Sequence, residues 1–293
     1  MALRKLLRKR QAAHQTDELR APPVAPPVVH PPQKVMRAGW ASDVGRQRSV
    51  NEDAVLVVQA FQEGHDALEP FGLFIVADGM GGHKEGEVVS ALAVRTAAHH
   101  ILQQFYLTSL CCREHNAGQA SIIEILEEAV NLANTTVTAA VPGGGTTLIC
   151  ALVMGRRVYL ANVGDSRAYI VSPQGLEQVT RDHSLVDRLV EMGQLTAEEA
   201  AMHPQKNVLY RAVGQGGTLE VDTFVRSVPA GHHLLLCTDG LWGMVAEAEM
   251  ASIIAQSPSP QEAGDALVAA ANRAGGRDNI SAIIVEFPLA DGD

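Results

Sequence analysis

Between Thr146 and Val171 three apolar runs stand almost end to end. Thr146–Met154, Arg157–Asn162 and Ser166–Val171 are each of strand length and rich in Val, Ile, Leu and Tyr. Only Gly155-Arg156 separates the first two, and only Val163-Gly164-Asp165 the last two. Turns this short return a chain beside itself, so these strands must pair antiparallel. Further short apolar runs at Ala54–Gln59, Phe71–Ala77, Val221–Val228, His233–Cys237 and Ile280–Phe287 supply more strands. Apolar residues at three- and four-residue spacing predict helices over Gly86–Phe105, Ala120–Ala140 and Gln261–Ala274. Residues 183–215 read as short helices with polar faces. The fold class is therefore α+β: antiparallel sheets with the long helices packed outside them. No repeat of 20–50 residues is visible.

With 293 residues, 46% apolar and 19% charged, the chain can bury a sizeable core in one large domain or two ordinary ones. Its net charge of −10 is unevenly spread. Residues 1–36 carry seven Lys or Arg against Asp17 and Glu18, leaving −15 on the rest. An acidic body argues against nucleic acid as a partner, because duplex binding rests on neutralising phosphates. It suits a protein that gathers carboxylates around a cation. The four cysteines (Cys111, Cys112, Cys150, Cys237) form no zinc spacing, and a reduced, cytoplasmic setting is expected. No apolar run approaches the ~20 residues that cross a bilayer, and Ala2–Leu7 is too short for a signal peptide. Residues 22–32 hold six of the 14 prolines, which predicts an extended spacer. Residues 1–36 are thus expected to be a disordered extension, with two readings open. It is a solvated tail, or residues 1–10 touch an anionic membrane or a partner through Arg4, Lys5, Arg8, Lys9 and Arg10, at roughly 1 kcal/mol per cation.

Aspartates at strand ends carry the chemistry. Asp78 ends FGLFIVA and precedes Gly79-Met80-Gly81-Gly82; Asp165 follows LANVG; Asp239 ends LLLCT and precedes Gly240; Asp278 sits in GGRDN before ISAIIVEF. Aspartate is a poor strand residue, and each has glycine close by, where backbone can approach a ligand. Any one of them could simply cap a turn. Four in the same setting ask for a common cause. Carboxylates that meet repel, and either take up a proton or hold a cation. An oxygen-only donor set selects a hard ion such as Mg²⁺ or Mn²⁺.

Eight blocks in order carry a resemblance: SDVGRQRSVNEDA (42–54), FIVADGMGGHKEGEVVS (74–90), GGTTL (144–148), ANVGDSRAY (161–169), TRDHSLV (180–186), HPQKNVLYRAVG (203–214), LLLCTDGLWGM (234–244) and GGRDNISAIIVEF (275–287). Over about residues 37–288 the chain resembles the bacterial branch of the metal-dependent, type-2C (PPM) serine/threonine protein phosphatases. The resemblance implies an α/β/β/α sandwich of two antiparallel sheets flanked by helix pairs, with a flap at about 183–215. It makes 37–288 the catalytic domain and 289–293 a short tail. It implies two Mg²⁺ or Mn²⁺ ions and a weaker third. Asp78 resembles the carboxylate bridging the pair, and the Gly79 carbonyl a ligand of one ion. Asp239 and Asp278 match ligands of the other, and Asp165 the ligand of the third, shared with Asp239. Glu52 and Asp53 look like groups reaching the ions directly or through water. Arg48 matches the arginine that grips the phosphate. In that family a hydroxide between the ions attacks phosphorus without a covalent intermediate.

One departure from animal members matters. Where they carry a histidine after Asp-Gly, this chain has Met80, and the nearest histidine is His83. His83 either donates the leaving group's proton or merely leads into the helix from Gly86; we favour the latter, with water as the acid. Other features are coincidental. Cys150-x5-Arg156 fits a cysteine-phosphatase pattern but lies on a strand running into a hairpin, and Gly143–Thr147 lacks the lysine of a nucleotide loop. Ser49 and Ser166 have no triad partners. His99-His100 and His232-His233 read as solvated helix and turn residues, and Trp242 as packing. The expected activity is hydrolysis of phosphoserine and phosphothreonine in proteins, opposing a bacterial-type kinase, by a monomer. A non-catalytic scaffold or a small-phosphomonoester hydrolase are the alternatives; the first would be expected to have lost metal aspartates, and all are kept.

Overall fold

A computed structural model describes residues 36–62, 69–80, 85–111 and 120–287. Residues 1–35 of the N-terminal extension, His83 and the C-terminal tail lie outside the described residues; Met36, expected in the disordered extension, is instead buried in the core, its carbonyl accepting from Gln59 (3.0 Å). Eleven strands in two antiparallel sheets are described. The first sheet is ordered β1 (Arg37–Asp43), β11 (Ile280–Glu286), β10 (His233–Cys237), β7 (Arg167–Ser172), β8 (Gly175–Gln178). The second runs β2 (Asp53–Ala60), β3 (Phe71–Met80), β5 (Leu148–Met154), β6 (Arg157–Val163), β9 (Asp222–Ser227), with β4 (Gly145–Thr146) paired to the end of β3. The Gly155-Arg156 hairpin pairs β5 with β6 as the sequence predicts, but the turn at Gly164 carries the chain from the second sheet to the first, so β6 and β7 do not pair: β6 lies against β9 and β7 against β10.

Three apolar layers follow from this stacking. Phe74 and Val76 of β3, with Ile149, Ala151 and Val153 of β5, face Leu234, Leu236, Ile283 and Val285 across the sandwich. Alternate residues of the same strands, Leu73, Ile75, Cys150 and Leu152, face helices α1 (Gly86–Ile101) and α2 (Ile122–Ala140). Both faces of β3 and β5 are covered, which is why they read as unbroken apolar runs and not as alternation. The third layer lies between the outer face of the first sheet and helices α6 (Glu247–Gln256) and α7 (Pro260–Arg273). Helix α1 passes into a π-helical stretch at Leu102–Leu107 before a last α turn. Helix α2 starts on a reciprocal cap between Ser121 and Glu124.

The patterning leaves some elements unread. Strand β1, RAGWASD, has no strand composition; it exists because it pairs with β11 from Arg37↔Glu286 to Asp43↔Ile280. Its free edge is closed by Gln261, whose side-chain amide accepts from the Trp40 N–H (3.2 Å) and donates to the Trp40 carbonyl (2.8 Å). Strand β8, helix α6 and the short helix α5 (Asp239–Trp242) likewise depend on tertiary partners. His233 lies in β10, not in a turn.

The segment over 183–215 carries α3 (Leu185–Glu191) and α4 (Ala197–Met202). Ser184 caps α3 through the Asp187 N–H, and Thr196 with Glu199 caps α4 reciprocally. Its two stems close on each other: Leu185 N–H donates to the Val208 carbonyl (2.8 Å) and Tyr210 N–H to the His183 carbonyl (2.9 Å). Val213 then bridges to Thr146 at the end of the second sheet.

Candidate active site

Both sheets deliver carboxylates to the same end of the sandwich. In the second sheet, Asp53 opens β2 directly opposite Asp78 near the close of β3. In the first, Asp239 follows β10 and Asp278 precedes β11. Hydrogen bonds tie the two sheets together here. Thr238 donates its hydroxyl to Asp53 Oδ2 (2.9 Å) and accepts from the Ser281 N–H (3.0 Å). Asn279 accepts from the Glu52 N–H (2.8 Å) and donates to the Val44 and Val50 carbonyls (2.9 Å each), fixing the loop that carries Arg48. The Asp78 backbone is clamped by the Gly-Gly-Thr-Thr segment. Its N–H donates to Thr147 Oγ1 (2.9 Å), and its carbonyl accepts from Thr146 Oγ1 (2.8 Å) and the Thr147 N–H (2.9 Å). Gly79 has to be glycine, since a Cβ would stand 2.3 Å from the Gly86 carbonyl oxygen and 2.6 Å from that of Glu52.

The carboxyls sit in an environment hostile to their charge. Burial and then repulsion from Asp53, Asp239, Asp165 and Asp278 hold Asp78 well above the ordinary carboxylate range. Burial pushes Asp53 up to about 7, though Thr238 and Ser281 pull it back, with Asp239 and Asp278 adding repulsion. Asp239 stands at about 6, raised by burial and Asp278 and eased by a hydrogen bond with Asp78. Two oxygens, Asp53 Oδ1 and Asp239 Oδ1, are sealed from solvent with no hydrogen-bond partner. Among the described residues, no three Asp, Glu, His or Cys side chains already close into a finished cage. The chemistry of the set nevertheless fits a divalent cation: oxygen donors only, mutual repulsion, and two sealed lone-pair-bearing atoms that want a positive partner.

Asp165 reaches this end from the turn between β6 and β7. It is 8% exposed, and its carboxyl is pushed up to about 7 by burial, then by Asp239 and Asp182. Gly164 before it has φ 106°, and a Cβ there would meet Thr147 at 2.6 Å. His183, at the root of the 183–215 segment, holds the same turn: its N–H donates to the Gly164 carbonyl (3.0 Å) and its Nδ1 accepts from the Gly164 N–H (3.1 Å). A cavity of about 560 Å³ opens between that segment and α5, with Val186, Val190, Lys206, Asp239, Trp242 and Arg277 among its walls. A hollow of about 670 Å³ along β1 and α7 contains none of the carboxylates just described.

Arg48 is half exposed and donates to Asp278 Oδ2 (2.7 Å), with Glu52 Oε2 at 3.8 Å. Every predicted site residue thus falls at one end of the fold. Residues with no sequence signal of their own complete it: Thr147, Thr238 and Asn279 position the carboxylates, and no spacing rule identifies a hydroxyl that bonds 69 residues away. Trp242 proves to do more than pack, because its indole N–H donates to the Asp165 carbonyl (3.1 Å). The Cys150 pattern falls away: Cys150 is fully buried in β5 and burial pushes its thiol up to about 12, so no thiolate nucleophile forms. Ser166 Oγ is buried against Thr147 Oγ1.

The sequence profile of protein phosphatase 2C matches residues 45–271. The chain belongs to that family. This protein phosphatase is 41% identical over 256 residues to the serine/threonine phosphatase stp of Listeria innocua, covering 87% of this chain and 97% of that one. In three dimensions it is similar to the Mycobacterium tuberculosis serine/threonine phosphatase PstP, with TM-score 0.70 and 32% identity over 87% of this chain and 99% of that one. A structure of the PstP catalytic domain in complex with two manganese ions matches with TM-score 0.67 and 32% identity over 86% of this chain and 98% of that one. Among the described residues no helix of the phosphatase is long and apolar enough to cross a membrane.

Proposed function

We propose that the phosphatase hydrolyses phosphoserine and phosphothreonine esters in proteins, with residues 37–288 as its catalytic domain, using divalent cations held by the carboxylates of the two sheets. One observation carries this: buried, mutually repelling aspartates from four strand ends meet with two oxygens sealed and unpartnered. Asp78, Asp239, Asp278 and the Gly79 carbonyl would hold two Mg²⁺ or Mn²⁺ ions, Asp165 with Asp239 a third, and Glu52 and Asp53 would act directly or through water. When bound, the ions would make a water acidic near neutral pH for in-line attack on phosphorus and would offset the charge of the phosphate.

The chain's own residues do the rest. Arg48, held beside the carboxylates by its bond to Asp278, supplies a planar guanidinium fork that binds two phosphate oxygens and favours the more charged transition state. Asp53 and Asp78, opposed across β2 and β3, fix the separation of their carboxyls through the ladder itself. Thr238 holds the Asp53 carboxylate directly, and Thr146 and Thr147 fix the backbone from which the Asp78 side chain projects. Met80 carries no exchangeable proton, so the leaving serine or threonine oxygen takes its proton from water. The acidic body repels strongly acidic substrates, which favours phosphosites without flanking carboxylates.

The test is phosphate release from p-nitrophenyl phosphate and a phosphothreonine peptide, with and without Mn²⁺, for wild type and Asp239→Asn. Iodoacetamide and EDTA serve as controls. Turnover that needs Mn²⁺ and Asp239 but survives alkylation is expected. Turnover that persists in EDTA, or that alkylation abolishes, would exclude the carboxylate–cation mechanism.

A further inference from the structure

Beside the carboxylates lies a buried assembly with no part in the chemistry just described. Arg167, near the start of β7, donates Nε and Nη2 to Asp182 Oδ2 (3.0 and 2.8 Å) and Nη1 to the Tyr169 hydroxyl (3.0 Å). Gln178 Nε2 adds a bond to Asp182 Oδ1 (3.0 Å). The guanidinium lies flat on the Trp242 ring, 3.6 Å from its centroid. Trp242 is three residues beyond Asp239, on the same short helix, and its indole N–H reaches back to the Asp165 carbonyl (3.1 Å). The side chain of Asp182 is 4% exposed and that of Arg167 18%. A charge pair so deeply buried is a poor source of stability compared with apolar packing. Its geometry points to another use. The stack joins three pieces of chain: the turn bearing Asp165, the strand end that leads into 183–215, and the helix bearing Asp239.

We infer that Trp242, set by the Arg167–Asp182 pair, is a positioning residue that holds Asp165 at the distance from Asp239 that a shared divalent cation requires. The inference rests on the proposal that Asp165 and Asp239 are ligands. The ring is clamped on its face by a planar cation whose Nε, Nη1 and Nη2 each donate to Asp182 or Tyr169. Its one polar atom is spent on the Asp165 backbone. Any shift of α5 therefore drags the Asp165 turn with it, and the Asp165–Asp239 spacing stays constant. Without the indole N–H, the turn would be located by Gly164 with His183 and by Ser166 against Thr147, which tie it to the 183–215 segment and to the second sheet instead of to Asp239.

The experiment is Mn²⁺ titration by calorimetry on the full chain, with wild type, Trp242→Phe, Arg167→Lys and Asp165→Asn. Tryptophan fluorescence in a Trp40→Phe background leaves Trp242 as the sole indole and reports the same titration. Asp165→Asn defines the step that depends on Asp165. Trp242→Phe keeps an aromatic face for Arg167 but loses the N–H, and is expected to weaken that one step roughly three- to ten-fold, the worth of one neutral hydrogen bond, while the other steps stay within about two-fold. Arg167→Lys, which unseats the ring without touching Asp165, is expected to do the same. Weakening of all steps alike, or of none, in variants whose thermal midpoints match wild type overturns the positioning role. If Asp165→Asn removes no step, the ligand assignment itself fails, and that outcome is distinct from the first.

Discussion

Asp239→Asn should stabilise the cation-free phosphatase and destabilise the cation-loaded one. In the absence of cations Asp239 is an acid whose folded pKa, about 6, lies above its ordinary value of 3.8, because it is packed away from water and faces Asp278. Such a group binds its proton more tightly when folded, so folding stability falls as pH rises between those two values. The penalty is absent below about pH 4 and complete above about pH 7. Worked from the shift, the folded anion costs up to about 3 kcal/mol. Asparagine has nearly the same shape without the charge. For a domain of this size, up to about 3 kcal/mol corresponds to a rise in Tm of no more than roughly 6–12 °C. We expect that rise in EDTA at pH 7.5, read by circular dichroism or calorimetry, and a rise only about a third as large at pH 4.5. Mn²⁺ at a thousand times Kd should reverse the order, since a bound ion then adds about 4.1 kcal/mol that the variant forfeits. No rise in EDTA at pH 7.5, or an equal rise at pH 4.5, would refute carboxylate repulsion as the organising force of the site.

Other perturbations separate positioning from chemistry. Arg48→Lys should lower kcat/KM about ten-fold and Arg48→Ala about a hundred-fold, the range for hydrogen bonds to a charged group, with Mn²⁺ affinity nearly unchanged; steady-state kinetics beside calorimetry decides. Asp182→Ala leaves the Arg167 guanidinium buried without its partner and should cost about 3–5 kcal/mol in urea unfolding. Gly79→Ala forces a methyl against the Gly86 carbonyl, which should cost at least ~1–3 kcal/mol of stability and abolish metal-dependent turnover, measured by thermal melts and phosphate release.

Much of the fold was legible because burial on both faces leaves a strong trace. Strands β3 and β5 are near-continuous apolar runs, and the turn at Gly155 dictates antiparallel pairing before any coordinates exist; the equally short turn at Gly164 misleads, because it carries the chain from one sheet to the other. Strand β1 left no trace, since its Gly, Ala and Ser are chosen for fit against α7 and not for strand preference. The carboxylates were legible for the opposite reason: aspartate is out of place at the mouth of an apolar strand, so each one stands out. Arg48 became visible only through the neighbouring NED block.

What the sequence by itself determined is therefore most of the strands, the antiparallel return at Gly155-Arg156 and the identity of the acidic residues, all properties of contiguous segments. Tertiary structure alone decided that Asp53 and Asp78 face each other, that Thr238 bonds 185 residues back to Asp53, and that Asn279 ties the Arg48 loop to the second sheet's first strand. It also turned Trp242 from a packing residue into a hydrogen-bond donor to the Asp165 backbone carbonyl. The physical reason is that hydrogen bonds and charge repulsion act over a few ångström in space, wherever the chain has brought the groups, whereas periodicity records only which face of one segment is dry.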